Sequence, residues 1–240
     1  MNLFSKNAKL KSFLDNLHSE NEKQLIFQAR NQFNGTDEEF KQLLTKYNTY
    51  NAIEKGKILE ENRIKIQNEE LALSVSPEMG QFLFMTAMIL KPKIILELGS
   101  SIGVSTIYFA EALRQINNDG FVIATELSKE KCDNILKNAE LVGLNQYVKI
   151  LYGDVFETIK NINEKIDIVF IDIWASGYME IFEATRGLLK PGAVFIADNM
   201  YSAGKETALF KEYLDKDDTV YNITLDFESG VEYGIILKNN

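Results

Sequence analysis

Glu97, Glu126, Asp154, Asp172, Asp198 and Asn199 each stand at or just after the end of a short apolar run, where an open α/β sheet would gather its ligand contacts. Glu97 belongs to Ile94-Ile95-Leu96-Glu97-Leu98-Gly99-Ser100-Ser101-Ile102-Gly103, a strand running into a turn with two glycines and then a helix. Gly99 and Gly103 bring backbone N–H groups beside a ligand, with Ser101 and Ser105 as further contacts. The turn lacks the three glycines of G-x-G-x-x-G, which disfavours a dinucleotide. An acid at the end of the first strand suits a ligand bearing an ammonium group, and S-adenosylmethionine is such a ligand. Glu126, followed by Leu127, is placed to accept both hydroxyls of a ribose; Asp154, between Gly153 and Val155, is placed at an adenine amino group. Taken singly, each acid has the alternative of capping a helix.

Asp172, Asp198 and Asn199 form a second set. Two neighbouring strands deliver hard oxygen donors to one point, which suits Mg²⁺, or Mn²⁺ or Ca²⁺, with water or substrate oxygens completing the shell. A strand-end turn built on Asp-Asn chemistry is the alternative.

These residues need a scaffold, and the apolar periodicity supplies one. From Lys9 to about Glu70 apolar residues fall at helical spacing, as in Leu10, Phe13, Leu14 and Leu17, with Thr36 or Asp37 as an N-cap in Asn34-Gly35-Thr36-Asp37. Ser76-Pro77 opens a helix to Leu90. Strands are then expected at Ile94–Leu98, Phe121–Thr125, Val148–Tyr152, Ile166–Ile171, Ala193–Ala197, Tyr221–Asp226 and Glu232–Leu237. Helices are expected at about Val104–Ile116, Lys129–Val142, Tyr178–Leu189 and Thr207–Leu214. The fold class is α/β: a doubly wound, Rossmann-like, mostly parallel seven-stranded sheet in residues 71–240, behind an N-terminal helical extension, residues 1–70, serving as lid or dimer contact.

Bulk properties narrow the function. Cys132, the single cysteine, excludes an internal disulfide and a cysteine zinc cluster, and is expected to be a half-buried helix thiol. His18, the single histidine, lies far from the strand-end acids, which argues against a histidine base or triad; a helix surface is its expected place. The net charge of −9 falls entirely within residues 71–240 and disfavours a nucleic-acid partner. No apolar run reaches the length of a membrane span and no leader is evident, so a cytoplasmic protein is expected.

Glu97-Leu98-Gly99, Glu126 and Gly153-Asp154 resemble the successive motifs of class I S-adenosylmethionine methyltransferases over roughly residues 71–240. Gly80-Gln81-Phe82-Leu83, Asp172 with Tyr178, and Pro191-Gly192 leading to Asp198-Asn199 resemble the metal-dependent O-methyltransferases typified by the catechol and caffeoyl-coenzyme A enzymes. The resemblance implies a divalent cation on Asp172, Asp198 and Asn199, Trp174 packed against the adenine, a small hydroxylated methyl acceptor and a homodimer. One position departs from it. The family's lysine base, three residues after the first metal aspartate, is Ala175 here, leaving Lys205 as the foremost substitute, with Glu206 and Tyr178 behind it. That departure keeps two alternatives open: N- or C-methyl transfer without metal, and a noncatalytic S-adenosylmethionine-binding protein.

Overall fold

A computed structural model describes residues 8–47, 74–117, 119–201 and 204–238. Two helices come first, α1 (Ala8–Gln32) and α2 (Asp37–Tyr47). The remaining elements alternate: α3 (Pro77–Leu90), β1 (Ile94–Leu98), α4 (Val104–Ile116), β2 (Phe121–Glu126), α5 (Lys129–Leu141), β3 (Val148–Tyr152), α6 (Val155–Thr158), β4 (Ile166–Ile171), α7 (Tyr178–Arg186), β5 (Leu189–Ala197), α8 (Lys205–Asp215), β6 (Val220–Leu225) and β7 (Val231–Ile236). The helical spacing expected beyond residue 47 lies outside the described residues.

The seven strands form one sheet in the order β3-β2-β1-β4-β5-β7-β6. The first five are parallel, and β7 runs antiparallel between β5 and β6. Alternation along β4 shows why its sequence is apolar throughout. Ile168 and Phe170 enter the core on one face, whereas Ile166, Val169 and Ile171 enter the core on the other. Its one polar residue, Asp167, works at the opposite end of the sheet from the candidate ligands. The carboxylate accepts the Lys93 and Ile94 N–H groups at 2.9 Å and the Lys190 ammonium at 2.6 Å, pinning the start of β1 against β4 and β5.

The helix caps are those the sequence specifies. Ser76 Oγ accepts the Met79 N–H before Pro77, and Lys91 ends α3 in the left-handed region. Thr36 and Glu39 form a reciprocal capping box ahead of α2. The boundaries differ from expectation most between α7 and β5; elsewhere the shifts are of one or two residues, as in α8, β6 and β7. The helix begun at Tyr178 stops at Arg186, and Leu189, expected within it, already pairs with Ile166 at the start of β5. A register shift between Ile166 and Ile168 accommodates Pro191-Gly192 inside the strand, where proline has no N–H to give and Gly192 takes φ +86°.

The extension is attached to the main core. Leu10 and Leu14, one turn apart on α1, are buried among residues of α3 and α4, while Ala29 and Phe33 pack with Phe40 in a small separate cluster. His18, expected on a helix surface, is half-buried instead, with Nε2 3.4 Å from the Tyr108 hydroxyl. Packing of α1 on α4 overrides the solvent-facing place that its polarity suggested. Cys132 is likewise fully buried, its Sγ 3.6 Å from the Glu126 carbonyl. Among the described residues no helix is long and apolar enough to cross a membrane.

Candidate cofactor and acceptor site

Strand register brings the chemistry-bearing residues to one edge. Leu98 pairs with Thr125 and Ile171, and Ile171 with Ala197, so Gly99, Glu126, Asp172 and Asp198 follow at the same level; Tyr152 pairs with Glu126 and sets Gly153-Asp154 beside them. The chain order reverses between β1 and β4, and in open sheets the crevice at that reversal is where ligands sit.

Close packing dictates the glycine turn. A Cβ on Gly99, whose φ is +88°, would lie 2.3 Å from the Asp172 carbonyl oxygen, so the turn and the first acceptor-side residue meet backbone to backbone. Thr125 holds the turn from the β2 side: its carbonyl accepts the Ser100 N–H at 2.9 Å and its hydroxyl accepts the Gly99 N–H at 3.3 Å.

Glu97 lies beneath this turn, fully buried. Its Oε2 accepts the Ser100 hydroxyl at 2.8 Å and the Thr106 hydroxyl at 2.5 Å, while Oε1 has no hydrogen-bond partner. Burial raises the carboxyl above its ordinary range, against the hydroxyls around it. The Ser101 hydroxyl is a second buried oxygen without a partner in the same turn. Two orphaned acceptors at one loop, one of them a carboxylate, fit a ligand that brings a positive group and donors. Ser105 is buried on the first turn of α4, and Gly103 precedes that helix with φ +86°.

Glu126 is half-buried at the end of β2. One oxygen accepts the Ser101 N–H at 2.9 Å and the other the Ser128 N–H at 2.8 Å; each retains lone pairs for a further donor. Asp154 caps α6, accepting the Phe156 N–H at 2.8 Å through Oδ1. The capping alternative therefore describes part of what Asp154 does. Leu127 and Trp174 border this region with large exposed apolar surfaces, 70% and 68% accessible. Gly153, with φ +128°, and Val155 flank Asp154.

The acceptor side is more acidic. Asn199, in the left-handed region at φ +61°, donates its side-chain N–H to Asp172 Oδ1 at 3.2 Å, and its backbone N–H to Asp198 Oδ1 at 2.7 Å. The three residues thus form one connected group. Burial raises the Asp172 carboxyl, with Asp198 and Glu97 adding to it; burial likewise raises Asp198 to about 6. Among the described residues, no lysine or arginine pairs with either. Two crowded carboxylates and an amide are a donor set that a divalent cation completes. Among the described residues there is no group of three or more His, Cys, Asp or Glu side chains with metal-binding placement, so the set depends on the amide of Asn199.

The structure distributes the substitutes for the missing lysine unequally. Ala175 begins a short 3₁₀ turn, Ala175–Gly177, just after Asp172. Tyr178 is completely buried and donates its hydroxyl to the Asp198 carbonyl at 2.8 Å; burial raises its pKa further, with Asp172 and Asp198 contributing. A phenol sealed this way orients Asp198. Lys205 and Glu206 are exposed on the first turn of α8. A carboxylate absent from the sequence-based set stands closer: Glu228, in the β6–β7 turn, lines a cavity of about 270 Å³ together with Asp172, Asp198 and Asn199. Its Oε1 accepts the Ser76 hydroxyl at 2.9 Å, and it sits in the left-handed region at φ +53°. The hairpin that carries it is tied to the β5 end by the Met200 and Tyr201 N–H groups, which donate to Gly230 and Ser229.

Comparison with known proteins names this arrangement. The O-methyltransferase family model matches residues 49–228. The chain belongs to the O-methyltransferase family. A catechol O-methyltransferase of Niastella koreensis is 35% identical over 138 residues, 56% of this chain and 61% of that protein. The mouse catechol O-methyltransferase is 27% identical over 143 residues, covering 57% of this chain and 53% of its own length. These matches span little more than half of those relatives. Among solved structures, an O-methyltransferase from Bacillus cereus in complex with SAH superposes with a TM-score of 0.63 at 25% identity, covering 77% of this chain and 90% of that one.

Proposed function

We propose that this chain is an S-adenosylmethionine-dependent O-methyltransferase acting on a small hydroxylated, catechol-like molecule, with a divalent cation held by Asp172, Asp198 and Asn199. The observation that carries the reading is the meeting of Gly99 and Asp172 at the sheet's switch point: the orphaned oxygens of Glu97 and Ser101 lie on one side, and the uncompensated Asp172–Asp198 pair lies on the other. Family membership and the SAH-bound relative support it.

The cofactor would bring a sulfonium-borne methyl group, its ribose to Glu126, its adenine between Asp154 and Trp174, and its ammonium towards the field of Glu97. The cation, when bound, would supply Lewis acidity that lowers the pKa of an acceptor hydroxyl. The chain's own part is alignment. Tyr178 holds the Asp198 backbone, Asn199 ties Asp172 to Asp198, and the Gly99–Asp172 contact fixes the distance between the two half-sites. The proton of the acceptor hydroxyl needs a receiver, and Glu228 on the cavity wall is the first choice ahead of exposed Lys205.

The test is transfer of a labelled methyl group to catechol in the presence of Mg²⁺, then with excess chelator. Methyl ether formation that stops on chelation and returns with Mg²⁺ is expected. Chelator-resistant transfer, or transfer to nitrogen or carbon only, would remove the metal mechanism. Ala175 favours a second reading, a noncatalytic S-adenosylmethionine-binding protein, which predicts cofactor binding without methylation of any acceptor.

A further inference from the structure

One face of α5 touches both halves of the cofactor crevice. Ser128, Cys132, Ile135 and Asn138 succeed one another at three- and four-residue steps, so they line the same side of the helix from its N-cap to its last turn. Two of them meet the end of β2: the Ser128 N–H donates to Glu126 Oε1 at 2.8 Å, and the Cys132 Sγ lies 3.6 Å from the Glu126 carbonyl. The other two meet the glycine turn. A Cβ on Gly103 would stand 3.0 Å from Ile135 Cγ2, and the Asn138 side-chain amide donates to the Ile102 carbonyl at 3.0 Å.

That last contact acts on the strained residue of the turn. Ser101 takes φ +48°, a left-handed conformation that a residue with a Cβ keeps only where its surroundings impose it. The bonds around it show what imposes it. The Gly103 N–H closes the turn on the Ser100 carbonyl at 2.8 Å, the Ser101 N–H donates to Glu126 Oε2 at 2.9 Å, and the Gly103 carbonyl accepts the Ile107 N–H of α4 at 3.0 Å. The Ile102 carbonyl, between these, is met from outside the turn by Asn138, 36 residues away in sequence. Holding that carbonyl limits rotation about Ile102, which keeps the Ser101 N–H on Glu126 and the buried, unpartnered Ser101 hydroxyl in one place. Glu126 is thereby held on both oxygens, one through Ser128 at the start of α5 and one through the turn that Asn138 holds near its end. The helix is the strut between them.

We propose that Asn138 is a positioning residue of the cofactor site: through the Ile102 carbonyl it sets the Ser101 turn, and through Ser101 it fixes the Glu126 carboxylate that receives the ribose. The proposal rests on the reading of Glu126 as the ribose ligand of S-adenosylmethionine and adds the residue that preorganises it. Because Asn138 acts through other residues, its effect falls on cofactor affinity and not on the transfer step.

The experiment uses the full chain and two substitutions. Asn138→Ala removes the donor while favouring the helix itself, so α5 is not weakened by it. Asn138→Asp keeps the shape but turns an acceptor oxygen toward the Ile102 carbonyl. S-adenosylhomocysteine affinity is measured by calorimetry, together with kcat, the KM for S-adenosylmethionine and for catechol, and the unliganded Tm. Asn138→Ala should raise the S-adenosylhomocysteine Kd and the S-adenosylmethionine KM together by about tenfold, and Asn138→Asp by about thirtyfold, with kcat and the catechol KM within about twofold of the parent chain. In a Glu126→Ala chain the added cost of Asn138→Ala should be about threefold or less, because the two residues act in series. A purely structural contact would lower Tm and leave the Kd, measured well below Tm, unchanged. That outcome, or the full tenfold cost persisting in the Glu126→Ala chain, overturns the positioning role and leaves the O-methyltransferase reading standing. Absence of S-adenosylhomocysteine binding in the parent chain overturns both.

Discussion

At residue 175 a methyl group stands where the metal-dependent relatives are expected to carry a lysine, and beside Asp172 and Asp198 the cavity wall carries a further carboxylate, Glu228. A positioned base contributes about 10²- to 10⁴-fold to a proton-transfer step. Glu228→Gln should therefore lower kcat by about a hundredfold at neutral pH while leaving S-adenosylhomocysteine affinity unchanged, and Ala175→Lys in that background should restore part of the loss. Steady-state kinetics with calorimetry checks both; an unchanged kcat in Glu228→Gln sends the search to Lys205. The sequence made the other acids legible because each ends an apolar strand, a local signal. Glu228 has no such signal: it follows Leu225-Asp226-Phe227 in a turn, and only the folding of the β6–β7 hairpin against β5 brings it to Asp198. The same limit applies to Glu97. Its position at the end of β1 was readable, but its burial beneath Ser100 and Thr106 arises from the way α4 packs on the turn.

Among the elements, strands buried on both faces and helices with clear caps were legible, as in β4 and in the Ser76 and Thr36 caps. The end of α7 was not, because Gly187-Leu188-Leu189 continues an apolar pattern that helix and buried strand share, and pairing of Leu189 with Ile166 decides between them. Helix α1 was legible as amphipathic, yet its docking through His18 was not, since that depends on Tyr108 ninety residues away in sequence. The docking has a pH consequence. Burial lowers the His18 pKa below its ordinary 6.5, while Asp15 on α1 and Glu78 on α3 pull it upward; the Tyr108 hydroxyl on α4, pushed up to about 12, stays protonated. A histidine whose folded pKa lies below the unfolded value binds fewer protons in the docked state, so docking is fully present above about 6.5 and weakens as pH falls below it. Hydrogen exchange of backbone amides around Leu10 and Leu14 should accelerate between about pH 7.5 and about pH 5.5 beyond the intrinsic pH effect, and His18→Gln should remove the excess. Equal excess acceleration in the His18→Gln chain would place the pH response elsewhere.

The whole molecule couples these pieces through one sheet. Both core clusters contain residues of β1, β4 and β5, so the cofactor turn, the acidic pair and the strands that carry them belong to the same packed body. Ligands that bind only the folded chain must then stabilise it globally. At a hundred times its dissociation constant such a ligand adds about 2.7 kcal/mol. For a chain of this size that raises Tm by about 5–10 °C. S-adenosylhomocysteine alone should give a shift of this order. Mg²⁺ should give a separate one, since it offsets the repulsion between Asp172 and Asp198 that the folded chain otherwise carries. In Asp198→Asn the Mg²⁺ increment should shrink to about 1 °C or less while the S-adenosylhomocysteine increment persists, because Glu126, Ser101 and the Gly99 turn are untouched. The same Mg²⁺ increment in both chains would mean that the ion acts away from the strand ends. Loss of both increments would mean that Asp198 supports the sheet edge as a whole, and the two half-sites would then have to be treated as one.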